Sequence, residues 1–537
     1  MNQEIIQITE KDYRGKAVQR ISRICAVLAL LLFSIIMLRT FFTSMIATSE
    51  MTLEGGTKET VFFRHDSLFF NLVTLLLGAA VLLILRRYLE RLSLRVVTLS
   101  ALGVVLVFGI LFVASSLSSP TFDSFFVSDA AYHASYGDYT NLEGTYFKQY
   151  PFQLGYVLFS EILIRLFFIH DAFLVIEFFN VFFLVIAYYA IIKTVRYTFD
   201  SENVARMTAL FLMLFAAPIL FCTFTYGNVP GLMFGAIALW QMSAIRRNNR
   251  AYLHAGIAAL SIGLAVTVKQ NLMIFFAAMA IILAIRLMRE RGLAPLFCLA
   301  LSFVTVLSFP ALAKWQYEVR SGIDFGDGIP LEGWAAMGLH DSARAPGWYN
   351  GTYTVSNFKN FDFNAEKTRE AAIEAIKARL DYFDENEDEA YEFFAKKIDS
   401  QWNETTYQSI WQNNVRGQYA PKWGIAKFLC IDHEDFTKSA MDVYAQILFA
   451  FTTVGAILLL RRREIMQVIF PTIIIGGFLY HLIFEGKSQY VLTYVILMAP
   501  IAAYGLEMLY TRLSPSIDRL AGKIGRHPSA KGGKARK

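Results

Sequence analysis

The chain has 537 residues, of which 55% are hydrophobic and only 18% charged, and its mean hydropathy is +0.42. Soluble domains hold about 45–50% apolar and about 25% charged residues, so this composition excludes a water-soluble globular protein. The net charge of +6 does not point to nucleic acid, because the basic residues lie in short runs beside apolar stretches.

A helix crosses the roughly 30 Å hydrocarbon core with about 20 apolar residues. Thirteen stretches qualify by length and charge gaps: 24–46, 67–85, 97–116, 152–169, 172–192, 205–222, 228–245, 252–268, 271–287, 294–313, 441–460, 465–483 and 490–510. They predict an all-α polytopic transmembrane bundle of about 12–13 helices. Lys11, Arg14, Lys16, Arg20 and Arg23 precede the first stretch and put the N-terminus in the cytoplasm. That stretch is too long for the apolar region of a cleavable leader and reads as a signal anchor. Further inside markers are Arg86, Arg87, Arg91 and Arg95, then Arg246, Arg247 and Arg250, then Arg286, Arg289 and Arg291, then Arg461, Arg462 and Arg463, and finally the basic tail. With both termini inside, thirteen full crossings are one too many. The incomplete one is expected within 152–192, which carries Glu161, Arg165, Asp171 and Glu177.

The expected organisation is 1–116, N-terminal membrane helices; 117–151, a first extracytoplasmic loop; 152–313, central membrane helices; 314–440, an extracytoplasmic domain; 441–510, C-terminal membrane helices; and 511–537, a basic cytoplasmic tail. Within 314–440, Ile373, Ile376, Leu380 and Phe383 recur at helical spacing after Asn364, an N-cap residue. Tyr391, Phe394, Ile398 and Trp402 form a second such stripe, and the acidic run 384–389 reads as the solvated turn between them. Cys25, Cys222, Cys298 and Cys430 have no CxxC spacing, so neither a zinc site nor a disulfide framework is supported. No Walker A, GxSxG or HExxH motif and no internal repeat is present.

The most informative stretch is SDAAYHASYGDYTNLEGTYFKQYPFQLG, residues 128–155. It crowds Asp129, Asp138, Glu143, Lys148 and several tyrosines into one outer loop, where a plain connector would be short. Tyrosine rings such as Tyr132, Tyr146 and Tyr150 can stack on sugar C–H faces, and carboxylates accept bonds from sugar hydroxyls. The bland alternative is a structural lid with interfacial tyrosines.

The same stretch resembles the first large extracytoplasmic loop of the GT-C glycosyltransferase superfamily, polytopic enzymes that use polyprenyl-phosphate-linked sugars. Asp129 in SDAAYH and the segment YFKQYPFQLG leading into the next helix carry the resemblance. The segments WAAMGLHDSARAPGWYNGTY (334–353) and EGKSQYVLTYVILMAPIAAYG (485–505) also resemble that group. Two further spans precede the acidic loop here, unlike in many members, and no DxD pair occurs. The resemblance implies a polyprenyl-phosphate sugar donor and an acceptor glycan, lipid or protein, in a multi-pass plasma-membrane protein with its site facing outside. It implies no soluble cofactor, and without a DxD pair the metal-dependent version is not supported, so no metal ligands are assigned; the placement of the basic residues already speaks against nucleic acid.

Such a reaction needs a general base for the acceptor hydroxyl, and Asp129 is the expected residue, with Asp123 and Asp138 in reserve. It also needs cations at the departing phosphate. Lys269 and Lys487 stand in outer turns between apolar spans, where an unpaired lysine is costly; the alternative for each is snorkelling to the surface. Glu485 can pair with either lysine or meet the acceptor. His133 and Gln153 are further substrate-binding candidates, as are Trp348 and Tyr349, expected with Trp334 and Asn350 on a sugar-facing rim. Glu161 and Arg165 are expected to form an i,i+4 ion pair, and Tyr226-Gly227-Asn228 a turn before Pro230. The rival functions are a transporter or lipid-linked glycan flippase, which would show repeats and a midplane site, and a non-enzymatic assembly protein.

Overall fold

The computed structural model describes residues 16–52, 59–116, 120–167, 172–245, 250–289, 292–417, 422–462 and 464–524. Lys11, Arg14, Asp171, Arg246, Arg247, Arg291, Arg463 and residues 525–537 of the basic tail lie outside the described residues; residues 511–524, expected as tail, continue the last helix.

Among the described residues the regular structure is all-α apart from one hairpin. Its elements run α1 (Lys16–Ser44), β1 (Ala47–Met51), β2 (Val61–His65), α2 (Leu68–Leu89), α3 (Leu94–Ser116), α4 (Phe122–Ser135), α5 (Thr145–Gln149), α6 (Leu154–Phe167), α7 (Ala172–Phe199), α8 (Glu202–Leu214), α9 (Ala216–Leu220) and α10 (Asn228–Ala244). They continue with α11 (Ala251–Val268), α12 (Met273–Arg289), α13 (Ala294–Ser321), α14 (Leu331–Gly338), α15 (Asn357–Asn360), α16 (Ala365–Glu385), α17 (Glu387–Trp402), α18 (Ser409–Gly417) and α19 (Gly424–Lys427). The last are α20 (Glu434–Leu459), α21 (Ile469–Ile483), α22 (Ser488–Ile496) and α23 (Ala499–Ile524). The hairpin, unexpected from the apolar pattern, pairs Ala47 with His65 antiparallel, and Arg64 meets Glu50 across it at 3.0 Å.

Among the described residues nine helices are long and apolar enough to cross a membrane. Two bent pairs, α8 with 216–223 at 55° and α22 with α23 at 45°, bring the number to eleven. Of the thirteen apolar stretches, the two left over form α6 and α10, which have 14 and 17 residues. At about 1.5 Å per residue α6 spans only about 21 Å, short of the hydrocarbon core.

The bundle packs α11 against α10 and α13, α10 against α7, and α20 against α23 and α1. Glycine lets the backbones approach where α20 meets α23: a Cβ on Gly455 would strike the Ile501 carbonyl oxygen, and one on Gly505 that of Phe451. Arginines gather at one end of the bundle. Arg289, in the last turn of α12, reaches Ser22 Oγ at 3.3 Å near the start of α1 and Glu464 at 3.9 Å in the turn before α21. Arg86 makes a two-pronged pair with Glu507 at 2.7 Å. The segments 322–417 and 422–433 cap the opposite end, with α14 against α21 and α17 against α22.

Two expectations for that segment need correction. The acidic run is not a free turn: α16 continues to Glu385 and α17 starts at Glu387, leaving Asn386 alone as the break. Glu387, Asp388 and Glu389 fill the first turn of α17, where carboxylates offset the positive helix end. The inward stripe differs in part: Phe383 and Trp402 are buried as expected, but Ile373, Leu380 and Tyr391 are exposed, and Ala372 and Phe393 are buried instead. Asn364 does cap α16, accepting from Lys367 N at 3.0 Å.

Candidate active site

The capped end of the bundle gathers its polar groups from helix breaks. α11 stops at Lys269, whose backbone turns extended (φ −148°, ψ 105°), and a single turn of 3₁₀ helix leads into α12. α21 stops before Phe484, and Lys487 (φ −162°, ψ 134°) precedes α22. Gly227 (φ +78°) makes the turn into α10, and a Cβ there would lie 2.5 Å from the Val268 carbonyl oxygen. Glycine is needed on both counts, and it presses Tyr226 against the Lys269 turn.

The turn 484–487 is held from the capping segment. Lys397 of α17, fully buried, donates to the carbonyls of Gly338, Leu482 (3.1 Å) and Phe484 (2.8 Å). His481 Nδ1 donates to Glu485 O at 3.0 Å, and Gly486 N to Gly347 O at 2.8 Å. Ser488 donates to the buried Glu404 at 2.6 Å. Three carbonyls around one ammonium make this turn rigid.

Inside that frame charges alternate. Lys487 Nζ lies 2.6 Å from Glu59, whose other oxygen lies 3.1 Å from Arg344. Glu485 accepts from the Tyr490 hydroxyl at 3.2 Å. Lys269 has its ammonium 4.2 Å from the centre of the Tyr226 ring and 5.6 Å from that of Tyr490. Desolvation lowers the Lys269 pKa, to about 7; Asp123 and Glu485 oppose the fall and keep the ammonium form within reach, while Lys487 adds to it. Asp123 sits at the start of α4, immediately after Phe122, which takes the left-handed φ of +50° while its ring stacks on Trp411. Non-glycine residues rarely adopt that conformation, and here it redirects the chain at the head of α4.

Asp123 is open to solvent yet enclosed by protein on most sides, as a residue on the wall of a recess would be. Desolvation raises its pKa; Lys487 and Lys269 oppose the rise, and Glu59 adds to it. Desolvation also raises Glu485, to about 7, against the pull of Lys487. For Lys487 desolvation works the other way, but Glu59 and Glu485 outweigh it and its pKa ends raised. Beyond Lys269 a narrow crevice of about 10 Å³, room for about one water, runs from Lys269, Asn228 and Asn271 to Leu272, Phe275 and Tyr494. An aromatic wall leads from α4 to α14: Phe126 stacks on Tyr146 at 4.7 Å, Tyr146 meets Tyr150 at 4.9 Å, and Tyr150 meets Trp334 at 5.9 Å. Among the described residues no three His, Cys, Asp or Glu side chains converge as a metal cluster.

The structure thus brings together Lys269, Glu485, Lys487, Tyr146, Tyr150, Tyr349 and Gln153 of the residues singled out from sequence. Gln153 donates to the Tyr226 hydroxyl, and Tyr349 stacks under Arg344 at 4.8 Å. It sets Asp129, Tyr132 and His133 apart. Asp129 follows Asp123 by six residues, about 9 Å along α4 and about 120° around it. Its carboxylate accepts from Asn141 at 2.5 Å and lies 3.8 Å from His133, which in turn meets Asp138 at 2.9 Å. Tyr132 packs edge-on against His133 and Tyr136. Trp348 is 0% exposed and its indole N–H donates to Ser400 at 2.8 Å, so it belongs to the core beneath the rim and cannot face a sugar here. Sequence reasoning missed Glu59, Arg344, Tyr490 and Lys397 and read Tyr226 mainly as turn chemistry.

No family model and no curated protein matches the chain. Among the solved structures similar to it are two of an archaeal enzyme. One is the archaeal oligosaccharyltransferase AglB from Archaeoglobus fulgidus with an inhibitory peptide and a dolichol-phosphate, at 14% identity and a TM-score of 0.39 over 81% of this chain and 52% of that one. The other is the Archaeoglobus fulgidus oligosaccharyltransferase tethered to an acceptor peptide containing the NVT sequon, at 13% identity and a TM-score of 0.41 with the same coverage. The chain spans about half the length of these structures.

Proposed function

We propose that this protein is a membrane glycosyltransferase of GT-C type. It moves a sugar from a polyprenyl-phosphate donor to a hydroxyl of a glycan, lipid or protein acceptor on the outer face of the plasma membrane. One observation supports this reading above the others: Lys269 and Glu485, drawn from distant parts of the sequence, meet at Tyr490, Lys487 follows on the same turn, and Asp123 lies within electrostatic reach of both lysines, all at one end of the bundle. The arginine-rich turns lie at the other end, the cytoplasmic one by the positive-inside rule.

In this reading Asp123 replaces Asp129 as the base. The acceptor oxygen attacks the anomeric carbon and passes its proton to the Asp123 carboxylate. The bond from that carbon to the phosphate oxygen breaks, and the phosphate leaves with the electron pair, inverting the centre. A carboxyl raised by burial is better matched to this task than a free one. Lys269 and Lys487 meet the charge growing on the phosphate. The crevice beside Lys269 is polar at the ammonium and apolar beyond it, which suits a phosphate with a prenyl tail. It is too narrow for a phosphate as it stands, so donor binding must widen it.

The test is transfer from labelled polyprenyl-phosphate sugars to acceptor membranes by wild type, Asp123→Asn and Asp129→Asn, with folding checked by size-exclusion profile. Asp123→Asn loses at least about 10²-fold in rate, the usual worth of a general base, and Asp129→Asn keeps wild-type transfer. The reverse ranking would return the role to Asp129, and transfer by neither variant nor wild type would remove the enzyme reading.

A further inference from the structure

A second hollow, of about 470 Å³, opens between α6 and the last turns of α13. It lies about 12 Å along α6 from Gln153, and nothing in the proposed transfer uses it. Its floor is Glu161, 2% exposed, which accepts from Arg165 Nε (2.9 Å), Tyr317 Oη (2.6 Å) and two nitrogens of Arg320 (3.0 and 2.5 Å). Arg320 Nε also donates to Tyr139 Oη at 2.8 Å, and Arg165 Nη2 to Ala134 O at 2.9 Å.

Two features of this cluster point to a ligand. One carboxylate faces two guanidinium groups, and its four acceptor positions are already filled. One positive charge is therefore left over at the wall, with N–H donors on Nη1 and Nη2 of both arginines still available, since a guanidinium carries five. Gln316 stands on the same wall with its side-chain amide. The second feature is the rim. Ile162, Leu166 and Phe167 of α6 and Leu312, Trp315 and Val319 of α13 are all exposed apolar side chains. A water-filled anion site would not be rimmed this way, whereas an amphiphile with an anionic head fits both parts.

We propose that this hollow binds the phosphate headgroup of an anionic membrane lipid, with Arg165, Arg320 and Gln316 as ligands and the acyl chains along the exposed flanks of α6 and α13. The proposal rests on the hollow alone and stands whether or not the protein transfers sugars.

The experiment titrates detergent-solubilised protein with phosphatidylglycerol, phosphatidylcholine or inorganic phosphate and counts bound molecules by native mass spectrometry. Arg165→Gln removes one cation. Gln316→Glu adds a repelling charge without touching the Glu161 bonds, and its unfolding temperature in lipid-free detergent serves as the fold control. Wild type is expected to prefer phosphatidylglycerol over phosphatidylcholine by about tenfold, the worth of one charge-assisted hydrogen bond. Both variants are expected to erase that preference. Equal binding of the two lipids, or a preference unchanged in both variants, would overturn the proposal. Displacement of the lipid by inorganic phosphate at equal concentration would also overturn it, assigning the hollow to a soluble anion.

Discussion

Lys397→Met tests the scaffold of the site most sharply. The ammonium of Lys397 is buried and bonds the carbonyls of Gly338, Leu482 and Phe484, and so ties α14 and the 482–487 turn to α17. A hydrogen bond to a charged group contributes about 1.5–3 kcal/mol, so three give an upper bound of about 5–9 kcal/mol. Replacing the ammonium relieves its own burial cost of several kcal/mol, which leaves a net loss of about 2–4 kcal/mol. The neighbouring Lys396 pairs with Glu392 at 2.5 Å on the surface, so Lys396→Met is the matched control. Thermal unfolding in detergent, followed by tryptophan fluorescence, is expected to fall by several degrees for Lys397→Met. It should stay unchanged for Lys396→Met. Equal midpoints for the two variants would refute the claim that this lysine holds the turn.

Other outcomes follow from the same geometry. Because burial raises Glu485 from 4.5 to about 7, the folded protein holds that proton more tightly than the unfolded chain between those values. Wild-type stability should then fall as pH rises through that window, by at most about 3 kcal/mol. Glu485→Gln removes this slope and is more stable than wild type at pH 8, as denaturation at pH 4.5 and 8 would show. Tyr226→Phe keeps the ring under Lys269 and should leave binding of a polyprenyl phosphate unchanged, whereas Tyr226→Leu weakens it about fivefold, within the range of a cation–π contact. Gly155→Ala drives a Cβ into the Thr267 carbonyl where α6 crosses α11; it should cost about 1–3 kcal/mol of stability and shift the Gln153–Tyr226 contact.

The membrane spans were legible in sequence because hydropathy acts over whole helices: eleven of thirteen apolar stretches form spans or bent pairs, and the other two are only short. Lys269, Glu485 and Lys487 were legible for a related reason, since a charge between two apolar runs has few places to go. Asp129 drew attention by lying in a polar, tyrosine-rich stretch. The choice between it and Asp123 depends on helical phase along α4 and on the left-handed turn at Phe122, and neither leaves a mark in composition. Glu59, Arg344's partner in the site, was hidden because its contacts cross hundreds of residues, and Lys397 because it sits among solvated charges of α17 while its partners are backbone carbonyls of other elements. Trp348 was misjudged because a tryptophan beside Tyr349 and Asn350 looks the same in sequence whether it packs inward or outward.

In the proposed transfer a carboxylate and a lipid-phosphate cation serve one reaction. Single-turnover transfer, measured together with donor binding on Asp123→Asn and Lys269→Gln, tests it directly. A split is expected: Asp123→Asn binds the donor within about threefold of wild type while its chemical step falls at least about 10²-fold, and Lys269→Gln loses about tenfold in donor affinity. Full-rate transfer by Asp123→Asn, or unchanged donor affinity in Lys269→Gln, would contradict it.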